Sequence, residues 1–159
     1  MKHEPSERLD PRARLLWRIT GAAQAAVISA AAAGIAAPFI LGAGAPAYLW
    51  AVPGAIAILA VFSLVFLIPT LRWRRWRYEI REDEVDLQRG IVWVSRTLVP
   101  LARIQHVDTR TGPLERRLGL ATVVFFTAAG ANQIPELSAP VAGEVRDRIA
   151  ELTREQDEL

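Results

Sequence analysis

Between Thr20 and Leu71 the chain contains no Asp, Glu, Lys or Arg. This run constrains the fold more than any other feature, because even buried helices of soluble domains keep a polar stripe. It is interrupted near its middle by Leu41-Gly42-Ala43-Gly44-Ala45-Pro46, where Gly and Pro end one helix and start another. Each half holds about 20 apolar residues, and at ~1.5 Å rise per residue such a helix crosses a hydrocarbon core of ~30 Å. The sequence therefore predicts two membrane-spanning helices, residues 17–41 and 48–71, joined by a short turn. A buried helical hairpin in a soluble protein is the competing reading, but the rest of this short chain cannot wrap so much apolar surface.

Charge is distributed to match. Hydrophobic residues make up 52% of the sequence, while charged residues lie almost entirely before Thr20 and after Leu71, so the net charge of +2 says less than the local charge. Residues 1–16 form a polar, basic tail, of which 1–11 are expected to be disordered. There is no Cys, which excludes disulfides and thiolate chemistry and leaves the redox compartment unread. The basic start followed by an apolar run resembles a signal peptide, but the run is too long and a second span follows at once, so an uncleaved anchor is expected.

The first span carries Ala22, Ala26, Ala30 and Gly34 at intervals of four, a small-residue face that permits close helix approach, against the second span or another copy of the chain. Gln24 and Ser29 are its notable polar groups and neither is ionisable, which argues against a pore or transporter. Arg12, Arg14 and Arg18 flank the start of the hairpin, and Arg72-Trp73-Arg74-Arg75-Trp76-Arg77 follow its end. Basic residues thus mark both outer ends and avoid the turn, which predicts a multi-pass protein of the cell membrane with both termini cytoplasmic. The Arg/Trp cluster reads first as a juxtamembrane belt in non-specific contact with anionic lipid headgroups. A single-stranded nucleic acid site is the weaker reading of arginines interleaved with aromatics, and no nucleic-acid partner is expected.

From Trp76 the period changes to two. Trp76, Tyr78 and Ile80 alternate with charged residues, and Val85 and Leu87 alternate with Glu84, Asp86 and Gln88, giving two half-buried strands joined at Glu82-Asp83. Residues 91–101 read as a longer strand rich in Val, Trp and Thr, ending near Pro100. Residues 103–111 read as the next, with a bulge where Ile104 and Val107 break the alternation. Gly112-Pro113 opens a short helix that Gly119 stops. Residues 120–127 form an apolar strand, 128–132 a loop, and 133–137 a short strand weakened by Pro135. A final helix, residues 140–154, presents Val141, Val145, Ile149 and Leu152 as one apolar stripe, before an acidic tail, 155–159. The fold class is α+β: a helical hairpin, then about six or seven antiparallel strands in a sheet or small barrel closed by the last helix.

Tyr78-Glu79-Ile80, Leu87-Gln88-Arg89-Gly90, Val99-Pro100-Leu101-Ala102-Arg103-Ile104-Gln105-His106-Val107 and Gly112-Pro113-Leu114-Glu115-Arg116-Arg117-Leu118-Gly119 resemble the bacterial pleckstrin-homology-like (PH-like) membrane proteins of the YdbS type. The resemblance implies two membrane helices before a domain, residues 72–154, built as a bent antiparallel sandwich plugged by a C-terminal helix. It implies no catalytic residues and no cofactor. It also implies a larger membrane partner carrying several such domains. Eukaryotic relatives that bind phosphoinositides use basic residues in the first hairpin loop; here that loop is Glu82-Asp83, and a negative turn repels a phosphorylated headgroup.

The remaining candidates for chemistry are few. His106 and Asp108 share a face of one strand, part of a hydrolase-type set, but Ser95 and Thr97 lie on another strand and no nucleophile accompanies them. His106 and His3 are too few for a metal site. Glu115, Arg116 and Arg117 project from the short helix as candidate partner contacts. The expected function is a PH-like protein-interaction module in a membrane complex, not an enzyme; a hydrolase around His106 and Asp108, and a small pore or transporter subunit, are the alternatives. A homo-oligomer is left open.

Overall fold

The computed structural model describes residues 4–157, with side chains through Glu155. His3 and the end of the acidic tail lie outside the described residues. The chain divides into two compact units: Arg14–Leu71, and Met1–Ala13 together with Arg72–Leu159.

In the first unit the two long helical stretches, Ala13–Gly42 and Ala47–Arg75, are long and apolar enough to cross a membrane. Each would reach about 45 Å. Helix α1 (Ala13–Ala37) ends in a wide turn, Pro38–Gly42. A tight turn, Ala47–Trp50, leads into α2 (Ala51–Val61), a second wide turn, Phe62–Leu67, and α3 (Ile68–Arg75). The wide turns adjoin Pro38 and Pro69, where a missing N–H and a clashing ring spoil ordinary helical bonding. Both stretches run past the outer limits read from apolarity, because Arg, Leu and Trp continue a helix without being apolar enough to define a span.

The small-residue seam differs from expectation by one position. Gly21 and Ala25 are buried, whereas Ala22, Ala26, Ala30 and Gly34 are exposed. A Cβ on Gly21 would stand 2.1 Å from the Leu64 carbonyl oxygen, so the second stretch passes Gly21 too closely for any side chain there. Ser29 donates its hydroxyl to the Ala25 carbonyl at 2.7 Å and so stays satisfied within its own helix.

The second unit holds two antiparallel sheets. One runs β1-β2-β3-β4, with β1 (Glu7–Arg8), β2 (Arg77–Ile80), β3 (Glu84–Arg89) and β4 (Ser95–Pro100); the other runs β5-β6-β7, with β5 (Ile104–Arg110), β6 (Leu120–Thr127) and β7 (Gly130–Ser138). The main departure is β1. The segment expected to be disordered pairs with β2, Glu7 opposite Tyr78 and Arg8 opposite Arg77. Leu9 is 2% exposed, and the Trp73 indole N–H donates to the Leu9 and Asp10 carbonyls, each at 3.1 Å. Ser6 and Glu4 add hydrogen bonds to Glu79 and Gln88. Polar composition concealed this, since one buried leucine and two backbone pairings leave little signal.

The expected bulge in β5 lies between Ile104 and His106. A second, between Ala121 and Val123, accommodates Pro135 in β7, where the missing donor breaks no ladder bond. Glu136 beside it has φ +46° and donates its N–H to the Thr122 hydroxyl. Strand β4 is shorter than expected, because residues 91–94 form the hairpin tip instead. Helix α4 (Pro113–Leu118) is capped by Gly112 and stopped by Gly119 in the left-handed conformation, as read.

Helix α5 (Ala139–Asp157) packs on β5, β6, β7 and the turn Leu101–Arg103. Its buried stripe is Ala142, Val145 and Ile149, while Val141 is 38% exposed. The helix is rotated so that Ala142 takes the buried place expected of Val141. Tyr78, Val85, Leu87 and Val99 from the first sheet, Leu120, Val123, Phe125, Ile134 and Leu137 from the second, and Ile149 of the helix are among the buried side chains of this unit.

Candidate functional site

Residues 72–77 fall into three settings. Arg72, Arg74 and Arg75 are exposed on α3. Trp73 turns to the segment after β1, and the Arg8 guanidinium lies 5.9 Å from its ring centroid. Trp76 is buried, and Arg77 belongs to β2. The three exposed arginines remain as candidate headgroup contacts; both tryptophans are held within the fold.

On α4 the acid and the bases have different surroundings. The Glu115 carboxylate accepts the Gly112 N–H and the Thr122 hydroxyl at 2.8 Å, which ties the helix start to β6. Arg116 and Arg117 are exposed and present two cations on a short, capped helix.

His106 Nε2 and Asp108 Oδ2 are 3.2 Å apart, both side chains more than half exposed. The imidazole stacks on Phe126, ring centroids 4.4 Å apart. Ser95 and Thr97 lie in β4, in the other sheet, so no hydroxyl from that strand joins the pair.

The outer face of the first sheet holds what strand alternation missed. Asp86 points away from the core, as the period predicts, yet it is fully buried, covered by two guanidinium groups. Arg96 binds it through Nε at 2.9 Å to Oδ1 and through a second, closer bond from Nη2. Arg81 reaches Asp86 at 3.3 Å while bonding Glu79 at 2.7 Å and Glu84 at 3.1 Å. The bond to Glu79 raises the Arg81 pKa above its usual value, and the bond to Asp86 does the same for Arg96. Long arginine stems can cover a carboxylate that the alternation reads as wet. The network ties β2, β3 and β4 together. It also commits Arg81, next to the acidic Glu82-Asp83 turn, to Glu79, Glu84 and Asp86.

Beside β1 and β2 a cleft of about 360 Å³ is bordered by Glu7, Tyr78, Glu79, Val141, Glu144 and Arg148. Burial, and then the nearby Glu7 carboxylate, push the Tyr78 phenol up to about 12. Among the described residues, no group of three or more His, Cys, Asp or Glu is placed to hold a metal ion.

Known proteins bear on this arrangement. The family model described as Bacterial PH domain matches residues 22–153, from the first long helix through most of α5. The chain is 38% identical over 165 aligned positions to the UPF0699 transmembrane protein YdbS of Bacillus subtilis (strain 168), covering 99% of each chain. It is 26% identical over 98 residues to the UPF0699 transmembrane protein YdbT of the same organism, covering 62% of this chain and 20% of that one. No solved structure matches. A membrane hairpin joined to two antiparallel sheets and a closing helix, matched along its whole length by a transmembrane relative, places the chain in the bacterial PH domain family, among its YdbS-type membrane proteins.

Proposed function

We propose that the chain crosses the membrane twice, keeps both ends in the cytoplasm, and presents its PH-like domain there as a protein-interaction module of a membrane complex. The observation that carries the topology is the pairing of β1 with β2. One strand precedes the hairpin and the other follows it, so both must lie on one side of the bilayer, and two crossings satisfy that. The cytoplasmic side is supported by Arg12, Arg14 and Arg18 at one end and Arg72, Arg74 and Arg75 at the other, with no basic residue between Thr20 and Leu71. Those arginines also attract anionic headgroups non-specifically, by about 1 kcal/mol each.

For the partner, Arg116 and Arg117 are the basic surface of α4, suited to an acidic face on a larger membrane protein with domains of the same family. The partial match to the longer YdbT supports a shared module, not a shared complex. The non-enzymatic reading is favoured by the exposure of His106 and Asp108, because a catalytic dyad works best shielded from water. Two measurements test the proposal. A reporter active only outside the cytoplasm, fused after Leu159, should be silent; strong activity there reverses the topology. Purification in mild detergent followed by mass spectrometry should recover a PH-domain membrane protein with the wild type and with His106→Ala, and lose it with Arg116→Glu/Arg117→Glu. Recovery unaffected by the double change removes α4 from the interface.

A further inference from the structure

Among the described residues, the large apolar side chains exposed on the second unit are Val92, Trp93, Val94 and Val141. Three of these four are consecutive, at the tip of the β3–β4 hairpin. Val92 is 79% exposed and Trp93 87%. Such a patch on an otherwise well-packed domain marks an interaction site. The tip has a defined shape. Gly90 sits at φ +124°, and a Cβ there would stand 1.8 Å from the Trp93 carbonyl oxygen, so the backbone folds back tightly and only glycine fits. At the base, exposed Arg89 stands opposite Ser95 in the register. The other nearby cation, Arg96, is committed to Asp86.

We infer that this tip inserts into the lipid interface of the membrane that holds the chain. Val92 and Trp93 enter the boundary between acyl chains and headgroups, and Arg89 meets the phosphates. The loop sets an apolar tip with an amphipathic indole above a cation at its base, a combination that suits the layers a bilayer presents. Tethering supplies the second argument. The chain passes from one unit to the other directly at Ala13–Arg14 and at Leu71–Arg72, so the domain lives beside a bilayer at high effective concentration, where a weak anchor is enough. The inference rests on the chain being a membrane protein and is independent of which face the domain occupies. It also differs in place from the acidic Glu82-Asp83 turn, which repels headgroups.

The absence of Cys makes the test direct. Full-length Val92→Cys, carrying a nitroxide and reconstituted in vesicles of phosphatidylcholine and phosphatidylglycerol, is compared with Ala129→Cys in the exposed turn between β6 and β7. Collisions with oxygen, enriched in hydrocarbon, are set against collisions with a water-soluble nickel chelate. The oxygen-to-chelate ratio should be severalfold higher at V92C than at A129C. Adding Trp93→Ala should lower it, since losing one large aromatic weakens insertion of the tip about tenfold. A V92C label as open to the chelate as A129C overturns the inference. So does a label shielded from both reagents, which would mean a protein neighbour or a second copy.

Discussion

Replacing Leu9 with Ala tests whether the segment before the hairpin is part of the domain that follows it. Glu7 and Arg8 are exposed, so the buried apolar surface flanking β1 comes from Pro5 and from the larger Leu9, at 2% exposure. A buried Leu→Ala change costs about 2–5 kcal/mol, the lost transfer energy plus the cavity. The backbone bonds of a two-residue strand contribute only about 0.5–1.5 kcal/mol each, so they cannot hold the edge alone. The penalty should therefore appear as local opening of β1 from β2, raising amide exchange at the paired residues Glu7–Arg8 and Arg77–Tyr78 roughly 30-fold to several-thousand-fold. The assay is hydrogen exchange with mass spectrometry on the full chain in lipid nanodiscs, with the β6 segment as internal reference. Ser6→Ala, which gives up one exposed 3.3 Å bond to Glu79, should change exchange by less than about fivefold. If Leu9→Ala leaves β2 within about twofold of wild type, β1 does not stabilise the sheet and the reasoning fails.

Two further expectations follow from burial. Ile149 is fully buried, so Ile149→Asp places an unpaired charge in the core and should abolish the cooperative melt of a domain with only ~5–15 kcal/mol of net stability. Arg146→Asp, which removes an exposed pair with Asp147, should shift the melting temperature little. The Tyr78 phenol titrates at about 12 when folded, above its ordinary ~10, so the folded state keeps a proton that the unfolded chain releases. Its stabilising contribution is complete below pH 10 and lost as pH rises towards 12. Tyr78→Phe should flatten that alkaline fall in the urea midpoint, and an unchanged slope refutes the assignment.

The hairpin, the run of strands after it, the β5 bulge and the Gly119 stop were legible because each rests on local chemistry: missing charge, period two, a broken period, a left-handed glycine. What escaped was set by distant neighbours. Asp86 obeys the alternation and is still dry, because the arginines covering it come from β4 and from the turn after β2. Residues 91–94 have strand-forming side chains, and propensity alone cannot separate a hairpin tip from the strand it leads into. The pairing of Glu7 with Tyr78 spans the whole hairpin, so no window along the chain contains it. On the candidate contacts, sequence named Arg116 and Arg117 together with Glu115, but the bonds Glu115 makes to Gly112 and Thr122 could be seen only once the fold brought them together.

The pairing of β1 with β2 also sets an order of events during synthesis. Leu9 leaves the ribosome long before Tyr78, and at roughly 5–20 residues per second the first strand waits several seconds for its partner. During that wait the hairpin is the part being delivered to the bilayer. A chain that inserts one helix and stalls leaves Leu9 and β2 on opposite faces, and no later rearrangement of the domain can bring them together. On the proposed topology the completed sheet is then a record of correct insertion: a domain with exchange-protected Glu7–Arg8 and Arg77–Tyr78 is one whose hairpin went in and came back. Misinserted chains would carry a loose edge strand and an exposed Trp73, features that quality-control proteases recognise.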